Sequence, residues 1–231
     1  MPRLRESKKA RRERAEQILA ILERTYPDSR IALNYETPFQ LLVATILAAQ
    51  CTDVRVNMVT PGLFERYPSP QAFIDAPQEE LEKAVYQTGF FRNKAKAIKA
   101  ASTAIVLEHR GEVPRTMPEL VAIPGIGRKS ANVILGHCFG VPGMVVDTHV
   151  KRIANLLGLV NSEDPEKIEK ALEPLFPPES WTRLGHLIQD HGREICVARR
   201  PKCEICPIAA LCPSAGIAAN PPAKRARSSA K

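Results

Sequence analysis

The sequence predicts an all-α protein, on three observations. Apolar residues recur at three-to-four spacing in most segments, no convincing run of alternating strand residues occurs, and the breaks between segments carry helix-starting and helix-ending residues. Ala15 to Tyr26 reads as a first helix. Thr37 followed by Pro38 is a cap and a first-turn proline, opening the apolar run FQLLVATILAAQ. Further helices are expected near 53–66, interrupted at Pro61, and at 69–75, 77–87, 91–109, 116–122 and 128–139. Gly89, Gly111 and Gly140 mark stops, because glycine takes the left-handed conformation without steric cost. Past the short extended piece VPGMVV, Asp147, Asp164 and Pro177-Pro178 introduce three more helices, and no internal repeat of fixed period is present.

The 231 residues suffice for one large or two small domains, and 44% hydrophobic content is ordinary for a globular chain. The charge is not ordinary. Thirty-three Lys and Arg against twenty-five Asp and Glu leave a net +8, which points to a polyanionic partner: DNA, RNA or an acidic membrane surface. No apolar run of eighteen residues exists, and MPRLRESKKARRERAEQ lacks the apolar centre of a signal peptide. Glu6, Glu13 and Glu16 count against an organelle transit peptide, so a soluble intracellular protein without a membrane partner is expected. Residues 1–12 read as a basic tail, and 214–231, ending in AKRARSSAK, as a second.

The stretch IPGIGRKSANVILG at 123–136 sets two glycines before Arg128, Lys129 and Ser130. A P-loop is excluded by spacing, because Ile123 and Arg128 stand where its glycines are needed. What remains is a sharp turn at Gly125 and Gly127 with exposed amides, followed by the positive end of a helix. Helix, turn and helix over 116–139 form a helix-hairpin-helix unit. Such a unit holds a DNA backbone through turn amides and nearby basic groups without reading sequence.

Four of the six cysteines fall within seventeen residues, as Cys196-x6-Cys203-x2-Cys206-x5-Cys212. Thiolates that close can surround a tetrahedral zinc or an iron–sulfur cluster, and spacing leaves the two open. Disulfides are disfavoured in a reducing compartment. Cys51 and Cys138 lie in apolar helical segments and read as small buried hydrophobes. No histidine is assigned to a metal.

Three blocks in order, IPGIGRKSANVILG, VDTHVKRIANLLG with its Asp eighteen residues after the Lys, and HGREICVARRPKCEICPIAALC, resemble the endonuclease III family of helix-hairpin-helix DNA glycosylases. LLVATILAAQCTD and GEVP extend the resemblance over roughly 15–213. It implies a six-helix barrel at 31–141 and an iron–sulfur domain from 13–30 and 142–213. It also implies a 4Fe-4S cluster held by Cys196, Cys203, Cys206 and Cys212. The implied activity is base excision repair: oxidised or ring-saturated pyrimidines are released from double-stranded DNA, and the abasic strand is nicked by a lyase step. A monomer acting at the nucleoid in the cytoplasm is expected. Lys129 matches the family nucleophile and Asp147 the second catalytic residue, which is also a plausible N-cap. Gln50 matches the residue that fills the gap left by a flipped nucleotide. Phe90 stands where an apolar wedge meets the opposite strand, in place of the usual leucine, and Ile123 replaces the usual hairpin leucine. Gly125, Gly127 and Arg128 are assigned to the DNA backbone, and Arg199, Arg200 and Lys202 form a basic lobe inside the cysteine loop. A mismatch glycosylase on this scaffold generally lacks a lysine at 129, and a non-catalytic DNA-binding or redox-sensing module needs neither Lys129 nor Asp147.

Overall fold

The computed structural model describes residues 6–216, and among them every regular element is helical. The chain divides into two compact units: Arg30–Val145, and a second that joins residues 6–29 to 146–216.

The unit Arg30–Val145 is built around its most apolar helix. Helix α2 (Pro38–Leu47) buries Phe39, Leu41, Leu42, Val43, Ala44, Ile46 and Leu47, so apolar groups cover nearly its whole circumference. A helix hydrophobic all round must be surrounded. It is packed by α3 (Asp53–Arg66), α6 (Phe91–His109) and α8 (Arg128–Phe139). The short helices α4 (Pro70–Asp75) and α5 (Gln78–Ala84) lie against α6, and α7 (Met117–Ala122) lies against α8. Each fully buried Leu here contributes about 1.5–3 kcal/mol. The other unit packs α11 (Trp181–Glu194) against α1 (Lys8–Thr25) and α9 (Thr148–Leu156), with α10 (Pro165–Leu172) followed by a 3-10 turn that also meets α1.

The sequence expectations need four corrections. Helix α3 runs through Pro61 without interruption. Pro61 is exposed, so the carbonyl that loses its partner faces the solvent side, where bending toward water costs least. The helix expected over 77–87 stops at Ala84 and is followed by a separate 3-10 turn, Tyr86–Thr88. The stop after α6 is left-handed at Arg110 (φ 57°) as well as at Gly111 (φ 84°). Helix α1 starts at Lys8, inside the stretch read as a tail. Ser7 accepts from the Ala10 amide at 3.1 Å, and the pair Arg12–Glu16 supports the exposed first turns. The rest of the N-terminal tail, 1–5, and the C-terminal tail from 217 lie outside the described residues.

Arg14 explains why so basic a segment folds. Its guanidinium takes both oxygens of Glu6, at 3.0 and 2.6 Å, and donates to the carbonyls of Leu157 and Leu211 at 2.8 and 3.1 Å. These charge-assisted bonds, foremost that from Arg14, hold the Glu6 carboxyl below the usual carboxylate range. Because the folded pKa is lowered, the stabilisation is full above the pH where a free Glu titrates. It disappears as pH falls through the lowered value. Glu6→Gln should therefore cost about 1 kcal/mol in denaturant unfolding at neutral pH, and the variant should converge with the unaltered protein in acid. A constant difference across that range would assign the loss to packing instead.

Candidate functional site

The hairpin turn between α7 and α8 is held from beneath. Ile123 and Ile126 are buried, and the Ile126 amide donates to the Ile123 carbonyl at 3.1 Å. Gly125 has φ 85°, and a Cβ there would approach Ala97 Cβ of α6 to 3.2 Å, so both conformation and space select glycine. Helices α2, α3, α4 and α7 are each capped by a Ser or Thr side chain, whereas α8 starts at Gly127 with no side-chain cap and no acid in its first turn. Its opening amides have no side-chain cap, and no acid in the first turn offsets its positive end. Ala131, Ile134 and Leu135 anchor α8 in the core, while Lys129 is exposed on the first turn. The hairpin thus brings together Gly125, Gly127, Arg128 and Lys129.

Two further sequence candidates of this unit share an unusual backbone. Gln50 (φ 53°) and Phe90 (φ 48°) are left-handed, and Arg110 is the other non-glycine residue so placed among the described residues. An L-residue pays roughly 1–2 kcal/mol for that conformation, a strain that concentrates where loops meet ligands. Phe90 is also 63% exposed, a large ring left in water at the tip of a strained turn.

In the other unit, Asp147 is fixed through both oxygens. Oδ1 accepts from the Val150 amide at 2.8 Å, the N-cap bond of α9, and Oδ2 accepts from Gln189 Nε2 of α11 at 2.7 Å. The capping role read from the sequence is therefore realised, with a second partner, Gln189, that had no local signal. Beside it, His149 carries a buried Nδ1 without a hydrogen-bond partner, and burial pushes its pKa down against the opposing pull of Asp147. Any Cβ at Gly192 would come within 2.5 Å of that nitrogen, which is why α11 has glycine there.

Cys196, Cys203, Cys206 and Cys212 are free thiols, and all four line one pocket together with Ile153, Leu156 and His191. Burial pushes the thiols of Cys196, Cys206 and Cys212 up, so the thiolates a metal group needs would require its positive charge. Among the described residues no three His, Cys, Asp or Glu side chains are grouped so as to hold one metal ion. The donor set, four cysteine thiols lining one pocket, is one that an iron–sulfur cluster takes. His191 lies 3.7 Å from Cys206 Sγ through Nε2, and its Nδ1 meets the Tyr26 hydroxyl at 3.2 Å. Arg152 reaches Cys196 Sγ at 3.6 Å. Arg199, Arg200 and Lys202 are exposed on the loop between the first two cysteines, which the Lys202 amide closes on the Ile195 carbonyl at 2.9 Å.

Sequence reasoning passed over Lys94. It is 5% exposed and donates to two backbone carbonyls. A signal was present: Lys94 falls in register with Ile98, Ala101 and Ile105 on the apolar stripe of α6.

Comparison with known proteins places the chain in a family. Residues 43–178 match the HhH-GPD superfamily base excision DNA repair protein family, and residues 196–212 match the iron–sulfur binding domain of endonuclease III. Endonuclease III of Synechocystis sp. is 51% identical over 207 residues, covering 89% of this chain and 94% of that protein. Endonuclease III of Bacillus subtilis is 43% identical, covering 81% and 86%. A non-covalent endonuclease III–DNA complex and a trapped endonuclease III–DNA covalent intermediate each superpose with a TM-score of 0.84 at 40% identity, over 88% of this chain and 96% of theirs. A thermostable thymine-DNA glycosylase shares the fold at 21% identity and a TM-score of 0.79. With both family segments in order along one chain and relatives of such identity over most of its length, the chain belongs to the endonuclease III family of base excision DNA repair enzymes, DNA glycosylases with AP lyase activity that carry an iron–sulfur cluster.

Proposed function

We propose that this enzyme removes oxidised or ring-saturated pyrimidines from duplex DNA inside the cell, and that Lys129 and Asp147 carry the chemistry. The observation that most supports the assignment is Lys129 itself: an exposed amine on the first turn of a helix whose N-terminus lacks a side-chain cap, beside a turn suited to phosphate. The Lys129 amine attacks C1′ of a flipped nucleotide. The bond from C1′ to the base nitrogen breaks, and the base leaves with the electron pair and takes a proton. The nitrogen lone pair then forms a C1′=N iminium as the C1′–O4′ bond breaks, the sugar ring opens and O4′ takes a proton, and the iminium acidifies the C2′ proton. Its removal expels the 3′ phosphate by β-elimination, a step an ester or ether adduct would not favour. Asp147 offsets positive charge on the sugar as the base departs. Extruding the base costs a few kcal/mol, least for a lesion that stacks poorly, which itself selects.

In this reading Gln50 fills the vacated position, Phe90 wedges against the opposite strand, and Gly125, Gly127 and Arg128 hold phosphate with Arg199, Arg200 and Lys202. Unit Arg30–Val145 is then the barrel domain with the hairpin. The other unit is the iron–sulfur domain, where Cys196, Cys203, Cys206 and Cys212 would hold the cluster. When bound, the cluster supplies a covalent tie among loop segments, and no step of the reaction passes through it.

Borohydride added during reaction with lesion-bearing duplex should leave a covalent adduct that mass spectrometry traces to the peptide containing Lys129. Lys129→Gln should abolish trapping and nicking yet largely spare DNA binding. Normal trapping in that variant would move the nucleophile elsewhere. Asp147→Asn keeps an oxygen for the Val150 amide, and Gln189 can turn its own amide oxygen toward the new NH2 group. The fold should survive, while base release slows by about 100-fold or more and reaction with a ready-made abasic site persists. Base release at the unaltered rate would reduce Asp147 to a cap. Cys203→Ala should remove visible absorbance and lower the stability of the C-terminal unit. Full absorbance in that variant would break the ligand assignment.

A further inference from the structure

We propose that Lys94 is a positioning residue that fixes, through one buried ammonium, the roots of the two turns bearing Gln50 and Phe90. The inference rests on the reading that these two residues enter the duplex. Lys94 Nζ donates to the Leu47 carbonyl at 2.8 Å and to the Thr88 carbonyl at 2.7 Å. Leu47 ends α2, three residues before Gln50, and Thr88 ends the 3-10 turn, two residues before Phe90. The Lys94 amide also donates to the Phe90 carbonyl at 3.1 Å. The two carbonyl oxygens therefore stand no further apart than the sum of two hydrogen bonds, and the side chain that joins them belongs to the helix Phe90 opens.

The chemistry explains why a cation occupies a core position. A helix leaves its last carbonyls without partners, and positive charge is favoured at that end. Burial pushes the Lys94 pKa down, against an opposing pull from Cys51, and the two carbonyls give the buried ammonium hydrogen-bond partners. Both turns run left-handed at the residue of interest, a conformation that persists only where surroundings over-determine it. A methionine would fill the same volume without those bonds, and the carbonyls would be free to separate. Loss of the clamp would leave phosphate binding intact, because the bonds of Lys94 Nζ go to Leu47 and Thr88, and would loosen the spacing with which two side chains meet one damaged site.

The test uses the full-length protein with its cluster, as Lys94→Met and Lys94→Gln, alongside Gln50→Ala/Phe90→Ala and the combined variant with Lys94→Met. Circular dichroism and visible absorbance check folding, and if Lys94→Met does not fold, Lys94→Gln, which keeps one donor group, carries the same comparisons. Affinity is measured for a duplex with a stable tetrahydrofuran abasic analogue and for undamaged duplex, and 2-aminopurine opposite the analogue reports unstacking. The expected result is a loss of about tenfold or more in the ratio of the two affinities, with a weaker 2-aminopurine signal and an unchanged affinity and salt dependence for undamaged duplex. In the Gln50→Ala/Phe90→Ala background the Lys94 change should add nothing. An unaltered ratio and signal in a folded Lys94 variant overturns the proposal, as does an equal further loss in the double-alanine background. If Gln50→Ala/Phe90→Ala itself keeps the full ratio, the intercalation reading is what fails, and the proposal falls with it.

Discussion

The unit Arg30–Val145 depends on the burial of α2. Because apolar side chains cover nearly its whole circumference, no face of this helix can be left to water, and α3, α6 and α8 are each placed by the need to cover one side of it. The functional features of the unit are consequences. The hairpin glycine Gly125 is squeezed between the chain ahead of α8 and the side chains of Ile46 on α2 and Ala97 on α6. The chain leaving α2 reaches Gln50 within three residues, and the carbonyl it leaves behind is answered by α6 through Lys94. A substitution that lets α2 shift would therefore be felt at the turn, at Gln50 and at Phe90 together.

The other unit solves a different problem. Residues 196–216 contain only two 3-10 turns and few buried side chains, Pro201, Ile208 and Ser214 among them, too little apolar area to offset the entropy of ordering the chain. Directional interactions take over. Arg14 reaches the Leu211 carbonyl, Ser214 Oγ donates to the Leu156 carbonyl at 2.7 Å, and four thiols surround a pocket suited to a multi-iron group. Metal binding there is folding energy for the loop that carries Arg199, Arg200 and Lys202. A basic loop repels itself, so holding three cations on a short segment requires such ties.

How much of this was legible in the sequence depended on whether a signal was local. Helix α6 was read as 91–109 because apolar periodicity begins after Gly89 and ends before Gly111, both residues carrying their own conformational meaning. The N-cap at Asp147 was legible for the same reason. Pro61 misled because its effect depends on which side of α3 faces water, a tertiary fact. Lys8 to Arg12 looked like a tail because charge conceals helix-forming character, and the partners of the neighbouring Arg14 include carbonyls far away in the chain. Lys94 sat on an apolar stripe in plain view, but three lysines within six residues make a solvated face the natural reading, and only the carbonyls of Leu47 and Thr88 distinguish the buried one. Gln189 gave no signal, since its meaning arises from α11 lying beside α9.

The residues proposed to act on DNA are each also held rigid. Lys129, Gln50 and Phe90 are exposed, yet each follows within a few residues of a backbone group held by the core: Ile126, Leu47 and Thr88. Asp147 is only half-buried but spends one oxygen on its own helix and one on Gln189, so its carboxylate is oriented before any substrate arrives. Such preorganisation removes ordering costs from binding and leaves more of the interaction energy for the distorted nucleotide. The strain of two left-handed residues works against folding by roughly 1–2 kcal/mol each. Two charge-assisted bonds from one buried ammonium are of comparable size, about 1.5–3 kcal/mol each, and they act against both that strain and the cost of burying the charge.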